Sequence, residues 1–417
     1  MSKKIAIVGG GFAGYTAALR LAKGNEVTLI EKETLGGTCL NKGCIPTKLF
    51  LHHSLKEKSL SRIKEKSEKT ISDLVSGIKL LIDNKRINYI NEEAKIITKN
   101  GLLLKKTGKT ISFDILILAL GSEPIVPEEF REKPGIVKSD EAITLEEPPK
   151  KLVIIGGGYI GVEFAHIFSN LGTQATIIEK EKNILSSIDS DAASLLSKAM
   201  AERGINILTG KTVEKIQDSK VFTSGGEEIA YDKVLLCIGR KANLIESEIQ
   251  IETENGRIKT DEFFQTSQDN IFAIGDCTSG PLLAHKAAYD AELLAENLLS
   301  GKKQKKDYSR IPFCIFSEPI IAGIGEINGA ETVKARFSAI GKAHCDESTE
   351  GFLKLTISPD KKILGGIAVN NNALEVLSAL TVIVEKGMTC DEVSGIVFAH
   401  PTSAEIIKEA AKKALVK

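Results

Sequence analysis

The sequence predicts a doubly wound α/β fold present in two copies and followed by a smaller α+β unit. Three observations carry that prediction. Residues 4–31 read as an apolar strand, a run of glycines, an alanine-rich helix to about Lys23 and a second apolar strand ending at Glu31. The same grammar returns at 151–179, where Leu152 to Ile155 precede glycines, a helix runs to about Asn170, and Ala175 to Glu179 follow. These strands are continuously apolar rather than alternating, which suits a parallel sheet covered on both faces.

Length and composition fit that plan. A chain of 417 residues is too long for one core, and at roughly 150 residues per domain it predicts about three domains. With 42% apolar and 26% charged residues it is an ordinary globular chain, not a disordered one. The 55 Lys and Arg balance the 55 Asp and Glu, so no whole-molecule field gathers a polyanion, and a nucleic-acid partner is not expected. No apolar run approaches 18 residues and the apolar start passes into an amphipathic pattern, so the expectation is no membrane span and a cytoplasmic location.

Taken in order, the first βαβ unit is followed by a lysine-rich stretch, residues 54–90, with helical apolar spacing at Ile71, Leu74, Val75, Ile78, Leu81 and Ile82. It predicts a solvated helical hairpin with one packed face. Asp114 to Gly121 then closes the first half, and Asp232 to Gly239 closes the second in the same pattern. Pro148-Pro149-Lys150 is a stiff connector, and Gly301 to Lys306 is a polar, basic break. Beyond it, strand-like runs at 352–357 and 363–368 and helical stretches at 373–386 and 403–415 predict an α+β unit.

Gly9-Gly10-Gly11-Phe12-Ala13-Gly14 fits GxGxxG between strand and helix, with Gly9, Gly11 and Gly14 at the glycine positions. Bare backbone there can approach a pyrophosphate, and the helix N-terminus favours its charge. Glu31, at the end of the next strand, can accept hydrogen bonds from both hydroxyls of an adenosine ribose. Gly156, Gly158 and Gly161 with Glu179 repeat the whole arrangement, so two dinucleotides are implied; glycines serving only close helix packing are the alternative. The Glu179 carboxylate would repel a 2′-phosphate, which favours NAD over NADP in the second site, with Lys180 and Lys182 read as solvated.

Seven cysteines are too few and odd in number for a disulfide-stapled scaffold, which turns attention to Cys39 and Cys44, separated by four residues. To bridge, their Cα atoms must come within about 7 Å, whereas five extended steps span about 17 Å. The segment must therefore coil, and a helix beginning near Thr38 would do so while lending partial positive charge to a thiolate. So small a ring would be strained and readily reduced. A zinc site or two unrelated buried thiols are the alternatives; zinc prefers two CxxC sets and no second Cys or His cluster exists, so no metal is expected. Cys237, Cys277, Cys314, Cys345 and Cys390 read as buried structural thiols.

The run Cys39 to Lys48, CLNKGCIPTK, set behind a two-domain dinucleotide pattern, resembles the class I pyridine nucleotide-disulfide oxidoreductase family, and within it the dihydrolipoyl dehydrogenases. The resemblance covers essentially the whole chain. It implies an FAD-binding domain from residues 1–147 and 246–305, an NAD-binding domain at 148–245 and an interface domain at 306–417. Ile271 to Asp276 is similar to the family's second flavin motif, which gives Asp276 to the FAD ribitol, and Leu283 to Ala287 places Ala284 against the flavin and leaves His285 outside catalysis. Gly121 and Gly239 join the FAD and NAD sites respectively.

The resemblance also pairs Lys48 with Glu163 beside the flavin, and puts Tyr159 where some relatives swing a tyrosine aside for nicotinamide; an ordinary surface pair and a plain packing role are the alternatives. Cys39 is implied as the interchange thiol and Cys44 as the thiol against the flavin. His400-Pro401-Thr402-Ser403-Ala404-Glu405 is similar to the HPTxxE signature, with His400 the acid–base partner of the disulfide and Glu405 its orienter. A thiol must lose a proton to attack and a leaving thiolate must gain one, and histidine titrates nearest neutral pH.

The implied activity is oxidation of dihydrolipoyl groups on the carrier protein of a 2-oxoacid dehydrogenase or glycine cleavage complex, with NAD as acceptor. The implied assembly is a homodimer whose active site is shared, His400 reaching the cysteines of the opposite subunit. Another NADH-dependent disulfide reductase, acting on a small thiol or on mercuric ion, and a flavin-bearing tether without chemistry are the other readings. Residues 45–120 and 210–235 are shorter than the family's usual pattern, and Val369-Asn370-Asn371-Asn372 replaces a commoner glycine-containing turn.

Overall fold

The computed structural model describes residues 2–131 and 133–416. Its first sheet is wholly parallel, in the order Ile271–Ala273, Ile115–Leu118, Lys4–Val8, Glu26–Ile30, Asn88–Ile90. The second, also parallel, runs Asn206–Thr209, Gln174–Glu179, Lys151–Ile155, Lys233–Leu236, Ile136–Lys138. The repeat seen in the sequence is thus a repeat of register: Lys4 pairs with Glu26 as Lys151 pairs with Gln174, and Ile5 aligns with Ile115 as Leu152 aligns with Lys233. Central-strand residues such as Ile7, Leu116, Ile117, Ile154 and Leu235 are fully buried, as cover on both faces of the sheet requires.

The halves are interleaved at their edges. Ile271–Ala273, which follows the second half in the chain, completes the first sheet, whereas Ile136–Lys138, which precedes Pro148, completes the second. The two closing segments also meet each other: Ser122–Pro124 and Arg240–Ala242 pair antiparallel, directly after Gly121 and Gly239.

The α+β unit is a five-stranded antiparallel sheet, Phe313–Ile315, Ile321–Gly325, Ile363–Val369, Phe352–Ile357, Thr332–Arg336, packed by the helices Ala373–Lys386 and Glu405–Val416. The Asn370 side chain donates to the carbonyls of Ser348 and Glu350, both at 2.8 Å, and accepts from Asn372 N, so the asparagine turn is tied by its own amide.

The lysine-rich stretch departs from the expected hairpin. It is one helix, Leu60–Asn84, packed at its start against the preceding helix Cys44–Ser54. Its expected apolar face is only partly covered: Leu74 and Leu81 are 44% and 49% exposed. A helix of 25 residues spans about 37 Å. Leu60 and Ile63 pack with Phe50 at one end, and Val75, Ile78 and Ile82 form a narrow packed stripe toward the other, leaving Leu74 and Leu81 beside it on the surface. Among the remaining cysteines, Cys277 and Cys390 are buried as expected, but Cys237 and Cys314 are half-buried and Cys345 is exposed at the end of a short surface helix, Gly341–Cys345.

Candidate active site

Each glycine motif forms a tight strand-to-helix turn. Gly9 and Gly156 have φ of +107° and +106°, and a Cβ on either would lie 2.2 or 2.3 Å from the carbonyl oxygen of Ala119 or Cys237. Gly14 and Gly161 let the helix settle on the turn, since a Cβ there would lie 1.7 or 2.0 Å from the oxygen of Gly9 or Gly156. The middle glycines differ: a Cβ on Gly158 would meet nothing within 4 Å, and one on Gly11 only Gly37 Cα at 3.7 Å. Gly11 and Gly158 are also the N-caps of their helices, with no side chain capping them. Open backbone N–H groups at the start of a helix fit a pyrophosphate in both places.

Glu31 and Glu179 play matched parts. Oε2 of Glu31 accepts from Gly10 N at 2.6 Å and Oε1 from Glu33 N at 2.7 Å; Oε2 of Glu179 accepts from Gly157 N at 2.6 Å and Oε1 from Glu181 N at 2.9 Å. Each carboxylate therefore fixes its glycine turn and keeps lone pairs for further donors such as ribose hydroxyls. A cleft of about 770 Å³ runs past Gly9, Gly11, Glu31, Thr38 and Gly121, of a size for a dinucleotide. Asp276 lies in the turn Gly275–Cys277, its Oδ2 accepting from Ser122 Oγ at 2.8 Å; Ser122 is in turn held by Arg240 Nε at 2.8 Å. Ala284 is the first residue of the helix Ala284–Ser300.

The cysteine segment coils differently from the single helix expected. Cys39 sits in a short helix, Gly37–Asn41, the chain breaks at Lys42 and Gly43, and a second helix of 11 residues begins at Cys44 itself. Gly43 makes the break possible, since a Cβ there would press on Thr38 O at 3.0 Å. Cys44, not Cys39, consequently stands at the start of the longer helix. Both are thiols here, Cys39 half-buried and Cys44 exposed. The Cys39 S–H donates to Cys44, which holds the Cys44 thiol down at about 7; Lys48 adds to this, while the protein packed around the thiol, whose outer face alone is open to solvent, and Glu163 oppose it. The same bond and burial push Cys39 well up. Of the two, Cys44 is thus the thiol that gives up its proton first.

Lys48, one helical turn beyond Cys44, makes an ion pair of 2.6 Å with Glu163, which is 6% exposed. Glu163 Oε1 also accepts from Phe316 N at 3.1 Å, and Lys48 Nζ lies 4.6 Å over the Phe316 ring. One carboxylate thus joins the cysteine helix, the helix Tyr159–Asn170 and the α+β unit. Tyr159, at the start of that helix, stands 6.3 Å from the Phe313 ring, and burial pushes its phenol up to about 12.

His400 Nδ1 is 3.0 Å from Glu405 Oε1, and Glu405 Oε2 accepts from Thr402 N at 3.1 Å. The His400 bond, then the Thr402 N–H, hold the Glu405 carboxyl below its usual range. The imidazole side chain is 73% exposed, and among the described residues no hydrogen bond or ion pair joins it to either cysteine.

Sequence reading missed three groups. Lys286 and Asp290, fully buried, pair at 2.8 Å beneath the Asp276 turn; Ser122 and Arg240 brace Asp276; His166 bonds to Glu318 N. A Lys and an Asp at i and i+4 in an alanine-rich helix was the one available signal.

Residues 3–291 match the pattern described as pyridine nucleotide-disulphide oxidoreductase, and residues 311–411 match the dimerisation domain of the same family. The dihydrolipoyl dehydrogenase of Staphylococcus aureus is 33% identical over 449 aligned positions, covering 98% of this chain and 96% of that protein. Those of Geobacillus stearothermophilus and Bacillus subtilis are 34% identical, covering 98% of this chain and 95% and 96% of theirs. Among solved structures, the HOCl-induced flavoprotein disulfide reductase RclA of Escherichia coli superposes with a TM-score of 0.92 at 27% identity, over 99% of this chain and all of that one. LpdA from Mycobacterium tuberculosis, also at a TM-score of 0.92 but 23% identical, shares the fold.

Proposed function

The chain belongs to the pyridine nucleotide-disulphide oxidoreductase family, and on that premise we propose that it oxidises protein-bound dihydrolipoyl groups to the lipoyl disulfide. It is a disulfide oxidoreductase that uses FAD and NAD. The observation that carries the proposal is the Cys39–Cys44 pair, with Cys44 one helical turn from Lys48 and its 2.6 Å ion pair with Glu163.

In the proposed cycle the cysteines begin as a disulfide. His400 is set up as the base: with Nδ1–H donating to Glu405, Nε2 is free to take a proton from a substrate thiol. The substrate sulfur attacks Cys39 Sγ, the Cys39–Cys44 bond breaks, and Cys44 leaves as the thiolate that its surroundings favour. The second substrate thiol releases its proton to water and its sulfur displaces Cys39, which leaves with the proton held by His400, so the lipoyl disulfide departs and the enzyme holds two electrons. FAD, when bound, carries that electron pair from the reduced cysteines to NAD. The sum is dihydrolipoyl plus NAD⁺ to lipoyl plus NADH plus H⁺.

Gly9, Gly11, Gly14, Glu31, Gly121, Asp276, Ala284 and Lys48 are assigned to FAD, and Gly156, Gly158, Tyr159, Gly161, Glu179 and Gly239 to NAD. Since His400 bonds to neither cysteine within one chain, the proposed partner of each cysteine pair is the His400–Glu405 dyad of a second copy, joined through the dimerisation domain. The proposed protein partner is a lipoyl-bearing carrier of a 2-oxoacid dehydrogenase or glycine cleavage complex. A cytoplasmic location goes with this reading; no helix among the described residues is long and apolar enough to cross a membrane.

A second reading, reduction of another disulfide by NADH, is favoured by the likeness to RclA, a flavoprotein disulfide reductase. One assay separates the two. Purified protein is given NAD with dihydrolipoamide, beside NADP and beside reduced glutathione as rival reactants. Rapid NADH formation with dihydrolipoamide and NAD is expected; a flavoprotein reducible by NADH that ignores dihydrolipoamide would retain the redox core and remove the substrate assignment.

A further inference from the structure

The helix Ala284–Ser300 carries a lysine and an aspartate that no water reaches. Lys286 and Asp290, one turn apart, are both 0% exposed and pair at 2.8 Å. A buried ammonium is tolerated only when all its protons find acceptors. Here they do: beyond Asp290, Lys286 Nζ donates to the Gly275 carbonyl at 3.1 Å and to Thr278 Oγ1 at 3.3 Å. Asp290 is equally committed, its Oδ2 accepting from Gly275 N at 2.9 Å and its Oδ1 from Tyr308 OH at 2.9 Å.

The ion pair therefore grips both the N–H and the C=O of one residue, Gly275, whose φ of +75° turns the chain. The next residue is Asp276. Its side chain is held by Ser122 and, through it, Arg240. A pair needed only to fill the core could be replaced by two apolar side chains. This one instead directs its hydrogen bonds to the turn that presents Asp276.

We infer that Lys286 and Asp290 are positioning residues for FAD: by clamping Gly275 between them they fix the direction of the Asp276 carboxylate and so set how tightly the cofactor is held. The inference rests on the assignment of Asp276 to FAD made above.

The test is FAD affinity of the full-length protein, stripped of flavin and titrated back by fluorescence quenching, with thermal unfolding of the flavin-free forms alongside. If the unsubstituted protein does not take up FAD, the assignment of the cofactor falls and not this inference alone. Given uptake, Lys286→Met is expected to weaken FAD by about ten- to a hundredfold, the effect of losing one charge-assisted hydrogen bond. Asp276→Asn should weaken it too, and the two losses should not add when combined, because one acts through the other. Additive losses, or an affinity within about twofold of the unsubstituted protein, would overturn the inference. Should Lys286→Met fail to fold, Tyr308→Phe decides, since it removes only the donor to Asp290 Oδ1. A weaker grip on FAD with unchanged flavin-free unfolding is then expected, and unchanged affinity overturns the inference.

Discussion

His166 gives the molecule a defined weakness to acid. It is 2% exposed on the helix that carries Glu163, with Nδ1 donating to Val162 O at 2.9 Å and Nε2 accepting from Glu318 N at 3.2 Å. A backbone N–H can only donate, so the network assigns the proton to Nδ1 and leaves Nε2 bare. Protonating Nε2 would set two donors against each other in a buried site. Burial, above all, pushes the imidazole down to about 4 from 6.5; the Val162 bond opposes this and Arg203, which pairs with Glu318, adds to it. The unfolded chain then binds this proton more tightly than the folded one. The contribution of neutral His166 is complete above pH 6.5 and is lost as pH falls from 6.5 toward about 4. Between pH 7.5 and pH 5 the difference is about 2 kcal/mol, a large share of a typical folding stability.

His166→Gln keeps an acceptor for Glu318 N and cannot titrate. Urea unfolding of both flavin-loaded proteins, analysed over the first transition at pH 7.5 and pH 5, isolates the effect as a difference of differences. The unsubstituted protein should lose about 2 kcal/mol more than the variant on going to pH 5. Equal losses in the two proteins would refute the reasoning, because every other titrating group is common to both.

Removing the Cys39 S–H with Cys39→Ala should raise Cys44 from about 7 toward 9, seen as an alkaline displacement of the pH profile for alkylation of Cys44; an unmoved profile would mean that Lys48 alone holds the thiolate. His400→Gln should lower turnover with dihydrolipoamide by about 10² to 10⁴ while flavin reduction by NADH in a stopped-flow trace is retained. Glu179→Ala removes the acceptor of Gly157 N and Glu181 N as well as the charge near the second ribose, so KM for NAD should rise and the preference over NADP should shrink in steady-state assays.

The local grammar of the fold was legible in the chain. Two strand–glycine–helix–strand units, each closed by an apolar strand with a glycine three residues beyond it, follow from the run of apolar residues and from positions where any side chain would strike a backbone oxygen. The pairings at short range could be read as well, because Cys44 follows Cys39 by five positions and Glu405 follows His400 by five. Sequence spacing limits what such residues can reach, so proximity there needs little of the rest of the molecule.

What the chain alone could not decide depends on distant segments meeting. The helix break at Gly43, which moves the helix start to Cys44, turns on one position where a side chain would press on the Thr38 carbonyl oxygen. Leu74 and Leu81 share the apolar spacing of the packed face, yet they are exposed because only the narrower stripe of Val75, Ile78 and Ile82 meets the body of the protein. The edge strands Ile136–Lys138 and Ile271–Ala273 are three residues each, too short for any periodicity, and only the open edge of a sheet selects them. Lys286, Asp290 and His166 look in sequence like surface residues of ordinary helices; burial turns them into fixed donors and acceptors, since a polar group removed from water must find its partner inside the protein.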